Sequence, residues 1–394
     1  MNTPKGVPSG LEKISQAMNR AQAAAKHQQT TERQSSAPVE KFAGIKVVGI
    51  GGAGCSAVNR MMSEGMGGVD YISINTDPQA LFLCNNSSKK IAIGQSVTKG
   101  LGAGGNPEIG LKAIEESRAE VTAALQGADM IFITAGMGGG TGTGAAPVVA
   151  EIAKEIGALS IAVVTKPFSF EGDLRRVIAE KGITQLAEKV DALITIPNNN
   201  LLSIVEKKTT LIDAFKMADK VLKEGVQGIT DIMTKPGLVN VDFADIKTIM
   251  QDSGSALMGI GESSGDKKAA AAAEAAITNR LQDANIDGAK GVLFSITGSP
   301  SMTLSEVDEA AKIISQAVDP NAKIIFGAVI DEKFQDRISV TVIATGFENR
   351  EEALDDYAEN DQTLGFSGFS SSGDYKSDSD DDIPDSLSRL YKKR

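Results

Sequence analysis

The stretch MIFITAGMGGGTGTGAAPVVAEIAKEI, residues 130–156, decides how this chain folds. Its first part is an unbroken apolar run, the texture of a strand buried on both faces, and its last part carries apolar residues at helical spacing. Between them stand Gly138, Gly139, Gly140, Thr141, Gly142, Thr143 and Gly144. Glycine lets a backbone approach a ligand and aim several N–H groups at one anion. The start of the following helix adds its positive dipole, and threonine hydroxyls donate to phosphate oxygens. The segment is therefore predicted to be a strand, a phosphate-binding loop and a helix.

The same unit occurs upstream. IKVVGI (45–50) is an apolar run, GIGGAG places Gly49, Gly51 and Gly54 at the spacing of a dinucleotide fingerprint, and AVNRMMSEGM (57–66) has a helical pattern. Further strands are predicted in VDYISINTD (69–77), SIAVVTKPF (160–168) and VDALITIPN (190–198). Alternating strands and helices, with strands apolar along their length, predict an α/β, Rossmann-like parallel sheet covered by helices on both faces. Two phosphate loops on one sheet imply a polyphosphate ligand. A third segment, GLGAGGNPEIG (100–110), sets Ala103, Gly104 and Gly105 before another helix, where they serve either as donors to a terminal phosphate or as a plain tight turn. No G-x-x-x-x-G-K-[ST] occurs, which excludes the common P-loop family.

Further along, Thr210 and Asp213 make a capping-box-like start, after which Leu211, Phe215, Ala218, Leu222, Val226 and Ile229 mark one apolar face of a long helix. The loop KPGLVNVDFADIK (235–247) leads to a second set of elements. Helices are predicted in DKKAAAAAEAAITNRL (266–281) and SEVDEAAKIISQAV (305–318), and strands in GVLFSITG (291–298), KIIFGAVI (323–330) and RISVTVIATGF (337–347). A smaller domain with a mixed sheet is expected there.

Composition narrows the chemistry. Cys55 and Cys84 are the only cysteines and His27 the only histidine, so neither a zinc site nor a Cys–His dyad can be built and no metal-ligating residues are assigned. Of the net charge of −11, the segment from Phe347 to Asp382, with twelve acidic residues against Arg350 and Lys376, carries −10. The rest is nearly neutral and has no clustered basic face, so nucleic acid is not an expected partner. No run approaches the length of a membrane span and the first forty residues lack the apolar core of a secretory signal, so a cytoplasmic protein without direct membrane insertion is expected. Residues 1–41 read as a solvated, flexible leader, although Leu11, Ile14 and Met18 fit a short amphipathic helix.

GGGTGTG, the early glycine loop, PFSFEG (167–172) and NVDFAD (240–245) together resemble the FtsZ family, the tubulin-like GTPases of bacterial cell division, from about Ile45 to Phe347. The resemblance implies a GTP-binding domain with a central helix over residues 42–233 and a smaller α+β C-terminal domain over 234–347. An acidic linker (348–381) and a partner-binding peptide (382–394) would follow. It further implies that Gly52, Ala53, Gly54, Cys55 and Ser56, with Ala103 and Gly104 and with Gly138 to Thr143, hold the phosphates of GTP or GDP. Magnesium would be bound mainly through the nucleotide. Glu171 would hold the ribose and Arg175 would lie near the phosphates. Phe215, Asp219 and Asn198 would meet guanine, whose N1–H and exocyclic amine suit a carboxylate acceptor. Asn240, Asp242 and Asp245 would be catalytic, reaching the nucleotide of the next subunit in a head-to-tail filament. By the same resemblance, filaments would scaffold the division ring on the inner face of the membrane with other division proteins, and residues 382–394 would bind a membrane-tethering adaptor.

Three features depart from the family pattern: Cys55 and Ser56 stand where Gly or Asn is usual, Asp385 and Ser386 stand where an apolar residue is usual, and the leader of about forty residues is longer than typical. Other readings stay open at this point. Phe215 also fits the core, and Glu171 with Arg175 also fits an ordinary i,i+4 pair. GIGGAG with Asn75 and Asp77 suits a nicotinamide-dependent oxidoreductase, which leaves the second glycine loop unexplained. A filament protein that hydrolyses nothing is the third reading.

Overall fold

The computed structural model describes residues 43–84, 89–204, 209–235, 237–239, 241–278 and 286–347. The leader, the acidic linker, the 382–394 peptide and Asn240 lie outside them. Strand β1 (Ile45–Ile50) leads into helix α1 (Gly51–Ser63) and β2 (Asp70–Asn75) into α2 (Pro78–Leu83), followed by β3 (Lys89–Ala92) and a short α3 (Gln95–Thr98). Then come α4 (Pro107–Glu116), α5 (Arg118–Leu125), β4 (Met130–Gly136), α6 (Thr141–Glu155), β5 (Leu159–Lys166), α7 (Asp173–Ala187), β6 (Ala192–Pro197) and α8 (Asn198–Ile204). Helix α9 (Leu211–Thr234) is followed by β7 (Gly237–Val239), α10 (Phe243–Met250), β8 (Gly254–Ser264) and α11 (Lys268–Ile277). The last elements are β9 (Gly291–Gly298), α12 (Leu304–Gln316), β10 (Lys323–Ile330) and β11 (Arg337–Thr345).

The strands form one sheet in the order β3-β2-β1-β4-β5-β6-β8-β11-β9-β10-β7. Every pairing from β3 to β6 is parallel, as the apolar runs separated by helices predict. Beyond β6 the sheet is mixed: β11 lies antiparallel between β8 and β9, β9 and β10 are parallel, and β7 closes the edge antiparallel. The two parts join through three parallel pairs, Ala192↔Gly254, Leu193↔Ser255 and Ile194↔Ala256. Residues of α1, α9 and α10 share one buried cluster with one face of the sheet, and residues of α4 to α7 share another with its opposite face. A third cluster is built from α11, α12 and the sheet's far end.

Three strands, β3, β7 and β8, have no counterpart in the periodicity. The eleven-residue β8 carries Gly259 and Gly261, residues that usually mark turns, and here they permit close approach instead. A Cβ at Gly259 would stand 1.8 Å from the Ala276 carbonyl oxygen and one at Gly261 would stand 2.0 Å from that of Ala272. The alanine-rich α11 thus lies with its backbone almost on the strand.

The long helix begins where the sequence places it. Thr210 accepts a hydrogen bond from the Asp213 amide at 3.2 Å, and the helix runs for 24 residues, about 36 Å at 1.5 Å per residue. Val226, Ile229 and Ile232 bury against β5, β8, β9 and β11, so the helix spans both parts of the sheet. Its first turns differ from the expected apolar face: Leu211 and Phe215 are exposed.

Candidate functional site

In a parallel sheet the strands end on one side, and ligands gather in the crevice outside those ends. Here β1, β4, β5 and β6 deliver their C-terminal ends to a cavity of about 430 Å³. Gly52, Ala53 and Ser56 line it from α1, and Gly139, Gly140, Thr141 and Gly142 from the second glycine loop and α6. Glu171 and Arg175 line it from the start of α7, Asn198 from the end of β6, and Phe215 and Asp219 from α9. Segments separated by more than 160 residues of sequence meet there, for Ser56 Oγ donates to Asp219 Oδ2 at 2.8 Å.

The two glycine loops touch. Gly51 has φ +71°, and a Cβ there would stand 3.0 Å from the Gly142 nitrogen. Gly138, at φ +97°, would drive a Cβ to 2.7 Å from the Arg175 carbonyl oxygen. Both positions therefore need glycine on two counts, backbone conformation and space. The first amides of α1 and α6 have no partner within their own helices, which leaves them aimed at the crevice. The Gly140 loop also abuts the third segment: a Cβ on Gly140 would come within 2.7 Å of the Ala103 Cβ.

Some expected residues take other places. Thr143 is buried and its Oγ1 accepts the Gly138 amide at 2.9 Å, so it shapes the loop from behind. Cys55 is buried with its thiol against the carbonyls of Gly49 and Ile74, at 3.6 and 3.5 Å. Gly54, Ala103, Gly104 and Gly138 are not part of the cavity lining, although Ala103 abuts Gly140 and Gly138 abuts Arg175 and Pro167. Residues that sequence reasoning passed over complete the wall: Ile50, Gly51, Gly136, Met137, Thr165, Pro167, Ala218 and Leu222. Gly51 stood inside a recognised motif; Thr165 and Pro167 became visible only once the strand ends converged.

The electrostatics suit a base with donors on its edge. Burial pushes the Asp219 carboxyl above the usual carboxylate range, while the Ser56 hydroxyl and the Arg60 charge pull it back. Arg60 Nε lies 3.9 Å from Asp219 Oδ2. Asn198 is buried, and its Oδ1 has no hydrogen-bond partner, an acceptor that a ligand donor would satisfy. Phe215 packs edge-on to Phe168 at 5.6 Å between ring centres. At the rim, Glu171 Oε1 accepts the Phe168 amide at 3.0 Å, and Oε2 pairs with Arg175.

Asp77, the ribose acid of a nicotinamide enzyme in the alternative reading, is spent elsewhere. It caps α2, accepting the Gln79 amide at 2.8 Å.

Asp242 and Asp245 are exposed and far from the cavity. Asp242 caps α10 by accepting the Asp245 amide at 2.8 Å. Asp219 and Thr234 alone are about 22 Å apart along α9. Thr230 and the position of Thr234 meet Met66 and Gly68, in the turn before β2, at the end of the sheet opposite the cavity. The crevice and the acidic turn thus occupy opposite ends of the subunit.

Residues 44–206 match the Tubulin/FtsZ family, GTPase domain, and residues 254–348 match the FtsZ family, C-terminal domain. Among solved structures, an empty FtsZ dimer from M. jannaschii is 46% identical, with a TM-score of 0.76 over 82% of this chain and 93% of that one. A point mutant of M. jannaschii FtsZ is 45% identical, with a TM-score of 0.75 over 84% of this chain and 96% of the other. CetZ2 from Haloferax volcanii, in a GTPγS-bound protofilament, is 23% identical with a TM-score of 0.67 over 80% and 98%, a likeness of fold alone. At such identity and coverage, with both parts of the family matched in order along a sheet that presents two glycine loops to one crevice, the chain belongs to the tubulin/FtsZ family as an FtsZ-like, GTP-hydrolysing enzyme.

Proposed function

We propose that the chain polymerises head to tail and hydrolyses GTP only where the acidic turn of one subunit meets the crevice of the next. What carries this reading is the placement of Asp242 and Asp245 at the end of the molecule opposite Asp219 and the glycine loops, too far for one chain to unite them. A contact between unlike faces propagates as an open filament when no rotation closes it, and the solved FtsZ dimer supports self-association.

In this reading the amides of Gly52 to Ser56 and Gly138 to Thr143, helped by Ala103 and Gly104, cradle the phosphates. Glu171 accepts a ribose hydroxyl, Arg175 faces the phosphates, Phe215 covers the base, and Asp219 with Asn198 accepts the donors of guanine. Among the described residues no three His, Cys, Asp or Glu side chains cluster as a metal site, and where the two glycine loops line the crevice its polar groups are backbone amides and the hydroxyls of Ser56 and Thr141. That donor set fits magnesium held mainly by the nucleotide, where it neutralises phosphate charge. The incoming Asp242 and Asp245, with Asn240, orient water in line with the γ-phosphate. Carboxylates are weak bases, so their part is positioning and polarisation.

Mixing two inactive variants tests the reading. Asp245→Ala keeps the crevice and Asp219→Ala keeps the acidic turn, so turnover reappears when they are combined. A copolymer as inactive as either parent would overturn shared hydrolysis.

The proposal extends to a scaffold for the bacterial division ring, cytoplasmic and on the inner face of the membrane. Residues 382–394 would bind a membrane-tethering adaptor through the 348–381 spacer, and other division proteins would join. Division into domains 42–233 and 234–347 belongs to the same proposal, supported by the two family matches at 44–206 and 254–348. Removal of 382–394 is expected to abolish adaptor binding in a pull-down while GTPase activity persists.

A further inference from the structure

Cys55 and Cys84 stand 29 positions apart in sequence, yet they are brought together beside the first turn of α1. Both are free and buried, and they share a small apolar cluster with Leu81. Cys84 Sγ lies 3.7 Å from the Cys55 carbonyl oxygen and 3.5 Å from that of Ala80. Each thiol also perturbs the other's ionisation, the mark of close neighbours. Nothing in GTP binding or hydrolysis as described uses either sulfur.

We propose that this pair is an oxidation site, at which a peroxide converts the dithiol to an intramolecular disulfide between α1 and the end of α2. The two sulfurs are unequal in the way such a reaction needs. The neighbouring Cys55 thiol, with help from the Lys90 charge and the Ser73 hydroxyl, draws Cys84 down to about 7. The proximity of Cys84, with burial, holds Cys55 well above the ordinary thiol range. Cys84 is then the thiolate nucleophile and Cys55 the protonated partner that resolves the product.

The steps balance. The Cys84 thiolate attacks one peroxide oxygen, the O–O bond breaks, and the departing alkoxide or hydroxide takes a proton, leaving Cys84 as a sulfenic acid. The Cys55 sulfur then attacks the Cys84 sulfur: an S–S bond forms, the S–O bond breaks, and hydroxide leaves with the Cys55 proton as water. Two thiols have lost two electrons, and one peroxide has gained them. Because Gly52, Ala53 and Ser56 line the nucleotide crevice from the same helix, the site lies directly behind the first glycine loop. The inference does not depend on where hydrolysis occurs.

The test uses the full chain, freed of reductant and treated with hydrogen peroxide at a dose that fully oxidises free glutathione. The sample is then alkylated in denaturant and digested without reductant. The expected product is one peptide pair linked through Cys55 and Cys84, lighter than its parts by two hydrogens, forming faster as pH rises through about 7. In Cys55→Ser, Cys84 is expected to persist as a sulfenic acid that a 1,3-dicarbonyl probe captures, and in Cys84→Ser neither adduct nor disulfide forms. Recovery of both wild-type thiols alkylated, disulfides only between chains, or a Cys84 sulfinic acid beside free Cys55 would each overturn the proposal.

Discussion

Asp219 concentrates the recognition problem in one side chain. In the proposed role it must be ionised to accept the N1–H and amine of guanine, yet it is largely withdrawn from water, and burial raises its pKa. Ser56 and Arg60 work against that rise from α1, with Glu64 and Lys223 as the next charges outward. The sign follows: GTP affinity is full above the raised pKa and lost as pH falls through it. Ser56→Ala removes a donor to the carboxylate, so its loss of GTP affinity is expected to begin at a higher pH than in the parent. Dissociation constants measured across a pH series check this, and superimposable curves would remove Ser56 from the role.

At the scale of elements, the α10 turn combines an observed cap with a proposed catalytic duty, which one substitution would confuse. Asp242 caps the helix, and losing such a cap costs about 1 kcal/mol. Asp242→Asn keeps a capping acceptor and drops the charge, so it should lose turnover at nearly unchanged melting temperature. Asp242→Ala should lose both, which thermal unfolding and phosphate release together resolve. Across the molecule, Gly261→Ala would push α11 off β8 and is expected to destabilise the fold by about 1–3 kcal/mol without altering GTP affinity at temperatures where it stays folded. That same contact explains what the sequence hid. Residues 130–156 were legible because strand, loop and helix each kept a clear period, whereas β8 was masked by glycines placed for a neighbour, and β3 and β7 are too short to show alternation. In the site, glycine loops announce themselves through composition, but the Ser56–Asp219 and Cys55–Cys84 contacts join distant segments and have no local signal.

For the whole molecule, a crevice at one end and an acidic turn at the other make activity, under the proposed shared hydrolysis, a property of the assembly. GTPase rate per subunit is therefore expected to rise with protein concentration, and a flat dependence measured by phosphate release would contradict shared hydrolysis. The junction of β6 with β8, three residue pairs in parallel, has a mechanical consequence. Tension applied between the two ends of a subunit runs lengthwise along these strands, so their hydrogen bonds resist in shear, all together, instead of peeling apart singly. A strained filament of such units would bend at its joints and keep each link stiff.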